Sequence, residues 1–271
     1  MRPSASRRAV AVVAALFVVA LSGCSGRSEA PVKAEPKVSP PAIAKAGVLR
    51  AGVDLEYPPF AGVDKNKQAG IDVDVARALA SRLGLGLELV SVVPSEAASA
   101  LDSRTVDVVL SVPFSQSALA GVSLAGSYIT DGPAFFTTTE ETVTPDAIGD
   151  RTVGVQAGSE SAWLIEDALG AGVARQYATL REALQALASG KLQVVAGDSI
   201  VGAYIARDLT SVRFAGQLGT AKALGVAVAK DNTVLGDAVR TALDDLAAKG
   251  ALASVRRTWV GDLPEIEVTE E

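Results

Sequence analysis

The residues able to do chemistry in this chain sit where its apolar strands run out. The stretch GVDLEYPPF (52–60) places Asp54 directly after a strand, with Tyr57 and Phe60 flanking Pro58 and Pro59. Proline fixes its own φ, so the pair stiffens the loop that carries both rings. A ring held there can stack on the aliphatic or cationic part of a small molecule, contributing about 0.5–2 kcal/mol for a cation; alternatively both rings plug the top of a core. Asp54 can face a bound solute or simply hydrogen-bond its loop. Asp198 stands between the apolar strand LQVVAGD and a helix, where a cap is worth about 1 kcal/mol. Gly158 and Ser159 open another helix, whose free N–H groups and positive end favour an anion. Glu160 follows in its first turn, where a negative charge is mildly favourable and a solvent-facing side chain is the simpler expectation. Between Val108 and Thr130 no residue is charged. That run starts as a strand, carries the Ser111 hydroxyl near its end and opens a helix at Ser115, a junction where open α/β sheets keep ligands.

Composition narrows the chemistry. Histidine is absent from all 271 residues, which removes the commonest general base and metal ligand. The Ser-His-Asp triad and Cys-His zinc patterns are excluded with it. No metal or cofactor is expected. The net charge is −6 and no Lys/Arg cluster with interleaved aromatics occurs, which argues against nucleic acid as a partner. One cysteine permits no internal disulfide.

That cysteine has a context. Three arginines in MRPSASRR precede the 13-residue apolar run Ala9 to Leu21, which as a helix covers only about 20 Å. The segment reads as a secretory signal of residues 1–23. It ends in LSGC, which resembles the lipobox of bacterial lipoproteins and implies lipidation at Cys24. Cleavage removes three arginines and no acid, taking the net charge from −6 to −9. The Pro-rich segment that follows is expected to be an extended tether over residues 24–45. An extracytoplasmic, lipid-anchored monomer is expected.

The elements that must position these groups alternate strand and helix. VLRAGVD (48–54), LELVSVV (87–93) and VDVVLSV (106–112) read as strands, with a helix over roughly 95–102. Asp72 is expected to cap a helix that lines up Val75, Leu79 and Leu83 and stops at Gly84. A second series has TVGVQ (152–156) and a helix from Ser159. Thr179 and Glu182 follow as a capping box for a helix closed by Gly190, and LQVVAGD then leads into SIVGAYIAR. After LGVAVAK (224–230) come two helices, the first striped by Leu235, Val239, Leu243 and Leu246. Repeated βαβ units predict two α/β lobes, each a mostly parallel sheet flanked by helices, with strand ends facing a shared cleft.

Four stretches in succession carry a resemblance: GVDLEYPPF with AGIDVDVARALASRLG, VDVVLSV, TVGVQAGSES, and ASGKLQVVAGDSIVGAYIA. Together, over about residues 46–262, the chain resembles the polar amino-acid-binding branch of bacterial extracellular solute-binding proteins. The resemblance implies a two-lobed receptor that closes on its ligand and serves the permease and ATPase subunits of an ABC importer. It implies crossings between lobes near 133–139 and 221–227. Lobe one is then 46–132 plus 228–262, lobe two 140–220, with an acidic tail at 263–271. It further implies that Asp198 grips the ligand's α-ammonium and that the Gly158–Ser159 turn meets its carboxylate, although a hydroxyl residue is more usual where Glu160 stands.

One departure matters. The family's helix start, Thr-x-x-Arg, carries an arginine that forks onto the α-carboxylate. Here Ser115 and Ala118 occupy those two places. Three readings follow: a zwitterion held weakly by Ser115, Ser159 and backbone N–H groups; a cation or amine without a carboxylate, held by Asp54, Asp198 and Glu160 beside Tyr57 and Phe60; or a non-transport surface lipoprotein, a sensor or interaction module with a degenerate pocket. An enzyme of the same fold, a dehydratase of cyclic dicarboxylic acids, needs cationic anchors that the run 108–130 does not supply.

Overall fold

The computed structural model describes residues 35–114 and 120–268. The first elements are β1 (Val48–Val53), β2 (Gly62–Asp64), β3 (Lys67–Ala69), α1 (Ile71–Arg82), β4 (Gly86–Ser91), α2 (Ala97–Asp102), β5 (Val108–Pro113) and β6 (Val122–Asp131). The chain continues through β7 (Pro133–Thr137), β8 (Val153–Gln156), α3 (Glu160–Leu169), β9 (Arg175–Tyr177), α4 (Leu180–Ala188), β10 (Val194–Asp198), α5 (Ser199–Ala206) and β11 (Arg213–Gln217). It ends in β12 (Lys222–Ala229), α6 (Thr233–Ala248) and α7 (Ala251–Val260).

Two five-stranded sheets result, ordered β4-β1-β5-β12-β6 and β11-β7-β10-β8-β9. The βαβ units give parallel neighbours: β1 with β4 and β5, and β8 with β9 and β10. The remaining pairs are antiparallel, so each sheet is mixed where a mostly parallel one was expected. The cause is the connectivity. The strands that pass between sheets, β6 into β7 and β11 into β12, enter without a crossover helix and so run against their neighbours. Only Gly132 separates β6 from β7. A Cβ on Gly132 would lie 2.7 Å from the Cα of Ala221 on the other connection, so the two crossing segments touch where glycine alone fits.

The first sheet carries a core in which Val75, Leu79 and Leu83 of the α1 segment meet Leu49 and Val53 of β1 and Val239, Leu243 and Leu246 of α6. In the second, successive residues of β7 face opposite sides. Phe136 packs with Leu180, Leu184 and Leu187 of α4, and Phe135 with Ile165 of α3. Thr179 caps α4 by accepting from the Glu182 N–H at 3.2 Å, the forward half of the expected reciprocal cap.

Three expectations need correction. Asp72 does not cap α1: it lies inside the first turn after Gly70, and its side chain is buried. The end of the expected tether is part of the body. Val38 and Ile43 are buried in the first core, and the Asp107 carboxylate accepts from the Ala44 N–H at 2.9 Å. The segment after α7 is anchored as well. Leu263 and Ile266 are buried, and the Gln217 side chain exchanges two hydrogen bonds with the backbone of Glu267 at 2.9 and 3.0 Å. In both segments apolar residues spaced between polar ones find cover that composition alone does not reveal.

Candidate functional site

The C-terminal ends of β1, β5 and β10, the first turn of α3 and the two crossings converge on a cleft of about 350 Å³. It is lined by Asp54, Tyr57, Phe60, Ser111, Asp198 and Glu160, all expected from the sequence, and by Asp72, Asp131 and Lys222, which were not assigned to it. Five carboxylates thus face one ammonium group among the described lining residues. A larger hollow, about 620 Å³, lies elsewhere, between the α2 region and the turn after β12, and holds none of these groups.

Tyr57 and Asp198 bridge the cleft from opposite sheets. The Tyr57 hydroxyl donates to Asp198 Oδ2 at 3.2 Å, while its ring stacks on Phe60 with centroids 5.6 Å apart and planes within 4°. Phe60 is buried, so of the two rings it backs the other and Tyr57 presents the open face. Burial pushes the Tyr57 phenol up, and the charges of Asp198, Asp131 and Asp54 push it further. Asp54 lines the cleft and also pins its loop, accepting from the Glu56 N–H at 3.1 Å.

Asp198 stands at the N-cap position of α5, yet its carboxylate makes no bond to that helix. Asp131 takes the capping role from the end of β6. Its Oδ1 accepts from the Ile200 N–H at 3.1 Å, the Ser199 hydroxyl at 2.8 Å and the Gly132 N–H at 2.9 Å. Asp198 is thereby left for the cleft. Burial holds its carboxyl above the usual range and the charge of Glu160 adds to this, against the Tyr57 hydrogen bond and the charge of Lys222. Asp131 is pushed up to about 6, chiefly by burial and then by Asp198, in spite of its three donors.

Beneath them lies a second buried acid. Asp72 accepts from the Tyr128 hydroxyl at 2.5 Å and from the Ser111 hydroxyl at 2.8 Å, with no cation among its partners in the described residues. Burial pushes it to about 6, the two hydroxyls opposing. Ser111 sits at φ +55° and gives its N–H to Tyr128 as well, at 2.8 Å. Its hydroxyl therefore serves Asp72, where a direct solute contact was expected.

Glu160 does not simply face solvent. Both its oxygens accept from Lys222 Nζ at 3.1 Å, joining α3 to the start of β12. Ser159 caps α3, accepting from the Ala162 N–H at 3.1 Å and donating to the Gln156 carbonyl at 2.8 Å, so its hydroxyl is already committed. Gly158 stands outside the cleft, on a hollow beside Trp163 and Asp167. Ser115, Ala118 and Cys24 lie outside the described residues. Among the described residues no group of three or more acids is arranged to hold a metal ion.

The unassigned residues had sequence signals. Asp131 is the first charge after the uncharged run, and Lys222 lies in the second crossing segment. Asp72 carried the wrong assignment, because a capping acid and a buried first-turn acid read alike.

A model of the bacterial extracellular solute-binding proteins, family 3, matches residues 49–262. The chain belongs to this family. An L-arginine-binding protein of Pseudomonas aeruginosa is 26% identical over 239 residues, covering 81% of this chain and 90% of its own. The L-cystine-binding protein TcyJ of Escherichia coli is 26% identical over 226 residues, covering 81% and 85%. Among solved structures, an ancestral cationic amino acid solute binding protein superimposes with a TM-score of 0.70 at 27% identity, over 79% of this chain and 96% of that one. This chain has the two-lobed α/β fold, and the structural superposition matches it.

Proposed function

We propose that this family member is the receptor of an ABC importer and captures a small amine-bearing solute, a polar amino acid or a related amine, between its lobes. The observation that carries the reading is the charge inventory of the cleft: five carboxylates against one lysine, itself paired with Glu160. The 115–119 segment, SQSAL, contributes no charge wherever it lies. An ammonium or guanidinium entering between Asp198 and Tyr57 relieves the repulsion among these acids and supplies the cation that Asp198 lacks. The exposed face of Tyr57 covers it. The names of an arginine-binding relative and a cationic amino acid-binding ancestor support the same class.

Closure is a hinge motion through the two crossings, where Gly132 and Ala221 touch. Lipidation of Cys24 holds the receptor at the membrane, and the permease and ATPase subunits take the solute from it. A dehydratase of dicarboxylic acids is the weaker reading, because its substrate would meet the same five acids. Isothermal calorimetry with L-arginine and L-lysine tests the proposal. Asp198→Ala should weaken any amine that binds by at least tenfold, the scale of a lost charge-assisted bond. Unchanged affinity contradicts the assignment.

A further inference from the structure

We propose that Lys222 receives a carboxylate of the solute, so that the cleft selects amines that also carry an acid group; the assignment rests on the amine reading above. Lys222 starts β12 beside the hinge, its backbone in register with Asp131 of β6. Its ammonium is the one cation among the described cleft residues, and it reaches into the region where Asp198 feels its charge. Among the described lining residues Lys222 is the one cationic side chain that a solute carboxylate can meet.

The present partner of Lys222 is one that a solute can replace. The Lys222 and Glu160 side chains are 48% and 53% exposed, and a pair so open to water contributes little net stability. Exchanging one carboxylate for another at the same ammonium therefore costs little. The positions also match the solute. Asp198, Glu160 and Lys222 line the same cleft and Asp198 feels both other charges, so an acid-binding and an amine-binding group share one small space. An amino acid carries its α-ammonium and α-carboxylate on one carbon, and that close pairing of opposite charges fits two opposite sites within one cleft of about 350 Å³. A diamine would satisfy Asp198 but set its second charge against Lys222 or compete for Glu160. In the empty cleft Glu160 stands in for the missing solute acid.

The test uses the full-length protein and three matched pairs: L-arginine with agmatine, L-lysine with cadaverine, and L-ornithine with putrescine. Each is titrated calorimetrically into wild type, Lys222→Met and Glu160→Gln, with a thermal melt to confirm folding. Wild type should favour the amino acid in the pair that binds by about 10- to 100-fold, the scale of a charge-assisted hydrogen bond. Lys222→Met should erase that preference and leave the amine partner no weaker. Glu160→Gln, which frees Lys222, should widen the preference. Equal binding within every pair, or a preference that survives Lys222→Met, overturns the assignment and leaves the amine reading standing. No binding by any of the six overturns the amine reading together with it.

Discussion

Asp131 separates stability from binding within a single side chain. All three of its donors, Gly132 N–H, Ser199 hydroxyl and Ile200 N–H, meet Oδ1. An asparagine that keeps its oxygen there keeps all three bonds and loses the buried charge. That charge is costly: the carboxyl is raised from 3.8 to about 6, so its ionised form at pH 7 is disfavoured in the fold by about 2–3 kcal/mol. Because the folded pKa lies above the unfolded one, this group stabilises most below about pH 4 and loses that contribution as pH rises through about 6. Asp131→Asn should therefore raise stability at pH 7, by about 5–10 °C in Tm, and change it little at pH 4. Asp131→Ala relieves the same charge but also removes the cap of α5 and orphans two further donors. It should fall about 3 kcal/mol below the asparagine variant at pH 7. Both variants should bind amines more weakly, since one of five acids is gone. Thermal and urea denaturation at the two pH values, with calorimetry of the same samples, read all of this. An asparagine variant less stable than wild type at pH 7, or one that matches the alanine variant, refutes the reasoning.

The other expectations follow from the same groups. Lowering the pH from 7 to 5 protonates Asp72 and Asp131, both near 6, and should weaken amine binding by roughly tenfold; a flat titration between those values contradicts their part in the cleft. Gly132→Ala forces a Cβ to 2.7 Å from the Ala221 Cα, so it should cost about 1–3 kcal/mol and slow closure in stopped-flow fluorescence, and an unaltered protein would remove Gly132 from the hinge. Cys24→Ser should move the protein from the membrane fraction to the soluble one. Retention in the membrane would show that another feature anchors it.

What the sequence revealed and what it concealed divide along sequence distance. The stripe Val75, Leu79, Leu83 and the helix start at Ser159 are local patterns, and both are present in the fold. Asp198 was legible as the acid at a strand end. Its freedom to face the cleft was not, because that depends on Asp131, whose partner Ser199 is 68 residues away. Lys222 and Glu160 lie 62 residues apart, on elements that meet only once the chain has crossed between sheets twice. Asp72 shows the limit of capping rules. An acid at the start of a helix serves equally as a surface cap or as a buried acceptor, and the deciding partner, Tyr128, is 56 residues along the chain. The mixed sheets have the same origin, since a crossing strand reverses direction for reasons of connectivity that its own residues do not carry.

Native mass spectrometry of the receptor, purified gently from its own cells, tests the acid-lined cleft most directly. The account predicts a bound small molecule that carries a basic nitrogen and departs when Asp198 is replaced by alanine. A sugar, a dicarboxylic acid or any nitrogen-free solute held in that cleft would contradict it.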